Sequence, residues 1–305
     1  MIKRLAFCVL SFALVCGCQN RPLYKDNRVM MGTFIEVISP DARAPVIVFE
    51  EIKRLENLLS KYKPDSEISK LNSLGSLKAS RDTFYIIKKS KQFCKISGGA
   101  FDITVAPLVE LWGFADKKYR LPGDEEIRES LVLVGSDKII MQDSDNMVKF
   151  SFPKMKIDLG GIAKGYALDC AAKRLKENNI KSCLINAGGQ IYCLGDKYGE
   201  PWKIAIKNPR GAGVLQRLEL KDKSVSTSGD YQQFFIKEKK RFSHIFNPKT
   251  GFPVDSGIIS VTVIADDGLT ADALSTAVFV LGKEKGLKLV SKFKNAKVFI
   301  NAGNN

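Results

Sequence analysis

The chain has 305 residues and a formal charge of +15, set by 48 lysines and arginines against 33 aspartates and glutamates, with one histidine. That length suits one large domain or two small ones, and 45% hydrophobic residues supply an ample core. The basic residues are scattered, with no aromatic-interleaved basic motif, which argues against nucleic acid and for an anionic membrane face or a phosphorylated ligand.

Lys3 and Arg4 precede an apolar run over residues 5–15, long enough for a signal-peptide core and too short to span a membrane. The run ends Val15-Cys16-Gly17-Cys18-Gln19, which resembles a bacterial lipobox. On that reading residues 1–17 are a lipoprotein signal peptide, Cys18 is the acylated first residue, and residues 18–28 are a polar tether. The protein is then expected at the bacterial cell envelope, lipid-anchored and facing the periplasm. An ordinary cleavable signal with incidental cysteines is the alternative. No later stretch approaches the ~20 apolar residues of a membrane span. Cys94, Cys170, Cys183 and Cys193 form no CxxC pair and no zinc-like cluster. They read as small buried hydrophobes, with a disulfide among them as the other possibility outside the cytoplasm.

From residue 29 the pattern is that of one folded unit reaching residue 303. Residues 29–38, with Met31-Gly32-Thr33, predict a strand. Apolar residues at helical spacing predict an amphipathic helix over 45–61, and a loop follows over 62–69. A second helix, 83–97, stops at Gly98-Gly99. Residues 115–130 are charged and read as a surface excursion. A hairpin is expected around Asp143-Ser144-Asp145-Asn146, and a helix over 162–177. Strands are predicted at 182–185, 190–194, 202–207, 215–220, 224–226, 234–236 and 258–265. The chain closes with a helix over 270–281, another to 293, and a strand over 296–301. Strands and helices without regular βαβ alternation indicate the α+β class, a single domain of mixed sheets with flanking helices.

Four segments carry candidate chemistry. Asp158-Leu159-Gly160-Gly161-Ile162-Ala163-Lys164-Gly165 is a glycine-rich turn opening a helix, where amide groups can meet a phosphate and a carbonyl can approach a metal. An ordinary turn is the plainer reading. In Thr270-Ala271-Asp272-Ala273-Leu274-Ser275-Thr276, positions 272, 275 and 276 share a helix face, so one carboxylate and two hydroxyls form a sparse oxygen site suited to Mg²⁺. A helix cap at Thr270, with Asp272 in the first turn, explains the same residues without a metal. His244 precedes an Asn247-Pro248-Lys249-Thr250-Gly251 turn. Ser226 to Tyr231 reads as a polar turn or solvated hairpin.

Taken together, these segments resemble the ApbE family of FAD:protein FMN transferases. The likeness runs in family order through Met31-Gly32-Thr33, the stretch from Tyr62 to Asn72, Gly99 to Pro107, Asp158 to Asp169 and Asn186-Ala187-Gly188-Gly189. It continues through Ser226 to Tyr231, Ser243 to Gly251 and Thr270 to Gly282. The resemblance implies an enzyme that moves FMN from FAD to a threonine of an acceptor protein with release of AMP, using Mg²⁺, and that can hydrolyse FAD if water replaces the threonine; the alternatives are an FAD pyrophosphatase only, or a flavin-binding lipoprotein without turnover. It implies flavin contacts at Met31, Tyr62, Ala100, Phe101 and Asp102, further FAD contacts at Asp158, Lys164, Ser228, Gly229, His244 and Ile245, and Mg²⁺ at the Gly161 carbonyl, Asp272, Ser275 and Thr276. His244 and Asp272 are the implied catalytic residues. Two positions depart from many relatives: Gln190 replaces an aspartate, and Lys164 stands where some carry glutamate.

Overall fold

The computed structural model describes residues 22–303, so Cys18 and the expected signal peptide lie outside the described residues. Strands β1 (Tyr24–Met30) and β2 (Thr33–Ser39) pair in full register as a hairpin. Met31 (φ 50°) and Gly32 (φ 68°) supply the two left-handed positions that a tight hairpin turn requires. Residues 24–28 are therefore strand rather than tether. β1 lies at a sheet edge and exposes most of its side chains, so it shows no apolar alternation to read in the sequence.

Helix α1 (Ala44–Leu59) buries Val48, Phe49, Ile52, Leu55 and Leu59 along one stripe. The expected loop over 62–69 gives way at Glu67 to α2 (Glu67–Leu74), capped by Ser66, whose Oγ accepts from Ser69 N at 3.0 Å, and closed by Gly75. Next come β3 (Ser76–Lys78), α3 (Arg81–Ile96), α4 (Ala106–Leu111) and α5 (Asp124–Leu131), then the pair β4 (Ile139–Gln142) and β5 (Met147–Phe150). Helix α6 (Ala163–Glu177) leads into β6 (Cys183–Ala187), β7 (Gln190–Leu194), β8 (Trp202–Lys207), β9 (Val214–Leu220) and β10 (Lys223–Gly229). The chain ends with β11 (Phe234–Lys237), β12 (Lys240–Ser243), β13 (Ile258–Ala265), α7 (Gly268–Leu281), α8 (Lys283–Val290) and β14 (Lys297–Ala302).

One seven-stranded antiparallel sheet, ordered β1-β2-β6-β7-β10-β13-β14, organises the rest. Helices α1, α6 and α7 cover one face, where Val37, Ile185, Val261 and Val263 enter the main core. The opposite face, carrying Leu184, Cys193, Val225 and Ile264, is covered by the β8–β9 hairpin through Trp202, Ile204 and Leu218. Strand β13 is thus sandwiched on both sides and buries seven of its eight residues, which explains its unbroken apolar run. A separate aromatic cluster, Trp112, Phe114 and Phe246 with Phe235 and Phe242, joins α4–α5 to the β11–β12 hairpin. The four cysteines are unpaired thiols, Cys183 and Cys193 buried and the other two partly so. Among the described residues no helix is long and apolar enough to cross a membrane.

Candidate active site

Helix α7 is buried nearly all round, which brings its polar residues into the interior rather than to solvent. The cap of α7 is Asp267, whose Oδ1 accepts from Thr270 N at 2.7 Å; Thr270 is not the cap. Asp272 therefore does no capping for its own helix. Its side chain, 5% exposed, accepts from Gly165 N on α6 at 3.0 Å and from Ser226 Oγ at 3.3 Å. Burial raises its carboxyl above the ordinary aspartate value, against the pull of the Lys164 charge and these two donors.

Hydroxyls surround this carboxylate. Ser275 donates to the Asp272 carbonyl at 2.9 Å, and its Oγ lies 3.2 Å from Ser226 Oγ and 2.8 Å from Ser228 Oγ. Thr276 Oγ1 lies 3.3 Å from Ser228 Oγ. Gly161 closes the group: a Cβ there would be 3.0 Å from Thr276 Oγ1 and 3.3 Å from the Phe101 ring. Ser226, Ser228 and Gly229 prove to be the end of a central strand, β10, not a solvated turn. Small side chains are needed there because α7 packs directly on that strand.

The donor set fits a hard cation. It contains one carboxylate and several hydroxyls, with the Gly161 backbone packed against Thr276, and among the described residues the buried carboxylate makes no ion pair. Among the described residues no group of three or more His, Cys, Asp or Glu could hold a metal ion, so a divalent ion here would take few protein ligands.

A short distance along the chain, Asp158 pairs with Lys61 at 2.6 Å and accepts from Gly160 N at 2.8 Å. Burial alone would raise the Asp158 carboxyl; the Lys61 ammonium and the Gly160 amide override it and hold it below the usual range. Lys61 is missing from the sequence-derived site because 97 residues separate it from Asp158 and the matched motif begins one residue later, at Tyr62. The amides expected to cradle a phosphate are mostly engaged: Gly160 with Asp158, Gly165 with Asp272, and Ile162 and Ala163 with the Leu159 carbonyl. Charge from Lys61 and Lys164, rather than a nest of amides, is what this turn offers an anion. Lys164 Nζ is 3.5 Å from the Gly160 carbonyl, and its charge acts on both Asp272 and His244.

His244 follows β12 directly. Its Nδ1 is 3.1 Å from the Gln233 carbonyl, which can only accept, so Nδ1 carries the proton and Nε2 keeps a lone pair. Burial pushes the imidazole down to about 4; the Gln233 carbonyl and Asp158 work against this, the Lys164 and Lys61 charges with it. The ring is therefore neutral at pH 7 with Nε2 able to take a proton. The turn after it is anchored by Trp112, whose indole N–H donates to Gly251 O at 3.0 Å, and Ile245 is buried beside it.

The remaining expected flavin contacts sort into two kinds. Tyr62 is 70% exposed, with the Lys61 ammonium 5.1 Å from its ring, and forms an open aromatic surface. Met31 is held at the nearby hairpin turn by its N–H to Glu56 Oε1 at 2.6 Å. Ala100 and Phe101 are buried, Phe101 against Gly161. The Asp102 carboxylate is already occupied by Thr104 and Ser136, each through both its amide and its hydroxyl, and by the Cys94 thiol at 3.3 Å. Its side chain organises this loop, which leaves only its main chain for a ligand.

A buried carboxylate among hydroxyls, with two lysines and a neutral histidine nearby, makes a candidate enzyme site. The sequence matches the ApbE family over residues 31–300, and the chain belongs to that family. Among curated relatives, the FAD:protein FMN transferase of Haemophilus influenzae is 35% identical over 82% of this chain and 75% of its own length. That of Treponema pallidum is 31% identical over 94% and 86%. The solved ApbE protein of Thermotoga maritima superposes with a TM-score of 0.85 at 36% identity, covering 92% of this chain and 94% of that one. The apo flavinyl transferase ApbE of Pseudomonas stutzeri superposes at 0.83 with 32% identity, over 93% and 92%.

Proposed function

We propose that the chain is an FAD:protein FMN transferase that carries FMN from FAD to a threonine hydroxyl of an acceptor protein and releases AMP. The observation that carries this reading is the Asp272 carboxylate, buried among hydroxyls and making no ion pair among the described residues, in a site whose Lys164 charge also reaches the neutral His244. Family membership supports the transferase class, and the donor set supports Mg²⁺ at Asp272, Thr276 and the Gly161 carbonyl, with Ser275 alongside. A bound Mg²⁺ would neutralise charge on the phosphates as AMP leaves.

The chain's own groups then have distinct tasks. Tyr62, Met31 and Phe101 receive the flavin end, and Lys61 and Lys164 set a positive field for the phosphates. The acceptor threonine Oγ forms a bond to the FMN phosphorus as the phosphorus–oxygen bond to AMP breaks. His244 Nε2 takes the hydroxyl proton. Water in place of threonine would give FMN and AMP, so FAD hydrolysis is the expected side reaction. The lipobox-like residues 15–18 support attachment through acylated Cys18 at the cell envelope, where the acceptor would be met.

Incubation with FAD, Mg²⁺ and a flavin-acceptor domain, read as in-gel flavin fluorescence, tests the proposal. Covalent fluorescence that is lost with a chelator and on mutating the acceptor threonine is expected. Wild-type transfer in the presence of a chelator would remove the metal from the reading.

A further inference from the structure

Helices α6 and α7 begin side by side and hold each other by their first amides. Asp169, on α6, accepts from Gly268 N at 2.6 Å and from Leu269 N at 2.9 Å. Those amides open α7 and have no carbonyl partner within their own helix. In return Asp272, on α7, accepts from Gly165 N on α6. Each helix thus caps the other. The backbones touch where they cross: a Cβ at Gly165 would sit 2.1 Å from the Gly268 carbonyl oxygen, and one at Gly268 would sit 2.5 Å from the Gly165 carbonyl oxygen.

The proposed metal ligands straddle this crossing, with Gly161 just before α6 and Asp272 and Thr276 on α7. Asp169 belongs to none of them. We propose that Asp169 is a positioning residue that fixes the separation of the Gly161 carbonyl from Asp272 and Thr276, and so sets the affinity of the site for a divalent ion. This rests on the metal reading of that site. Asp272 Oδ2 is committed to Gly165, so a slide of α7 along α6 would strain that bond and turn the carboxylate. Burial raises the Asp169 carboxyl to about 7, with the two α7 amides pulling it down and Asp267 and Asp272 pushing it up. Its largest favourable partners are therefore helix amides, as its placement requires. Asp267 serves as the comparison: it caps the same helix from within, accepting from Thr270 N at 2.7 Å and Thr270 Oγ1 at 2.9 Å.

Mn²⁺ binding followed by electron paramagnetic resonance, with FAD saturating, tests the role in wild type, Asp169→Asn, Asp267→Ala and Gly268→Ala. Asn keeps the shape but turns an NH₂ group toward one of the two amide donors. Asp169→Asn is expected to weaken Mn²⁺ by about 10–100-fold while still melting cooperatively. Gly268→Ala keeps Asp169 but wedges the crossing apart, and should weaken Mn²⁺ in the same direction. Asp267→Ala should lower the melting temperature and keep the wild-type Mn²⁺ affinity. Unchanged affinity in Asp169→Asn or Gly268→Ala would overturn the positioning role and leave the metal site standing. An equal loss in Asp267→Ala would also overturn it, since any cap of α7 would then suffice. A wild type that binds no Mn²⁺ would remove the metal reading and this inference together.

Discussion

Asp272 has a buried charge whose closest partners are one amide and one hydroxyl. Asp272→Asn can keep both contacts, its oxygen on Gly165 N and its amide on Ser226 Oγ, while removing the charge. The variant should melt at or above the wild-type temperature, because an uncompensated buried carboxylate costs stability, and should lose FMN transfer. A stable variant transferring FMN at the wild-type rate would refute the metal assignment. His244 gives a pH signature. With the imidazole pushed from 6.5 to about 4, its acid limb should fall well below the ordinary histidine range, leaving transfer rates level between about pH 6 and 7.5. The linked stability follows the depressed value: between about pH 4 and 6.5 the unfolded chain binds a proton that the native chain does not. His244 should therefore contribute stability that is lost as pH drops from 6.5 toward 4, opposed in that range by Asp169, whose raised value has the opposite sign; the difference between wild-type and His244→Gln thermal melts across this range isolates the histidine's share. Asp272, Ser275 and Thr276 could be picked out by helical spacing. Lys61 and the role of Asp169 could not, since each acts on residues about a hundred positions away.

At the level of elements, most helices and strands were legible because their apolar residues follow one period. The misreadings have physical causes. The polar strand β1 is paired at an edge and buries little. Helix α2 has only Ile68 and Leu71 buried, too short a pattern to stand out. The second half of strand β10, past the predicted 224–226, reads as a turn because serine and glycine are chosen for the close approach of α7. The turn that follows His244 depends on Trp112, which is 1% exposed and packs its ring on Phe246 and Phe252. Trp112→Phe keeps much of that packing but orphans the Gly251 carbonyl, at a cost of ~1–3 kcal/mol. A lower melting temperature and a fall in transfer rate larger than any change in FAD affinity are expected, measured by thermal denaturation and calorimetry. An unaltered rate would show that the turn does not hold His244.

For the whole molecule, membrane attachment is proposed through a lipid at Cys18; among the described residues no helix is long and apolar enough to cross a membrane. Cys18→Ala should move the protein from the membrane to the soluble fraction while leaving transfer intact in extracts. Mass spectrometry finding an unmodified mature N-terminus elsewhere would end the lipoprotein reading. The cross-capped helix starts also bear on when activity can first appear. The Asp272–Gly165 bond joins residues 107 apart and the Lys61–Asp158 pair spans 97, so neither can form before two distant stretches of chain have met. Contacts of such sequence separation form slowly and late. A chain still emerging from a ribosome or an export channel has α6 but not yet α7, and the Asp272 carboxylate proposed as a ligand is absent altogether. Flavin transfer is thus withheld until the last quarter of the polypeptide has been delivered and folded.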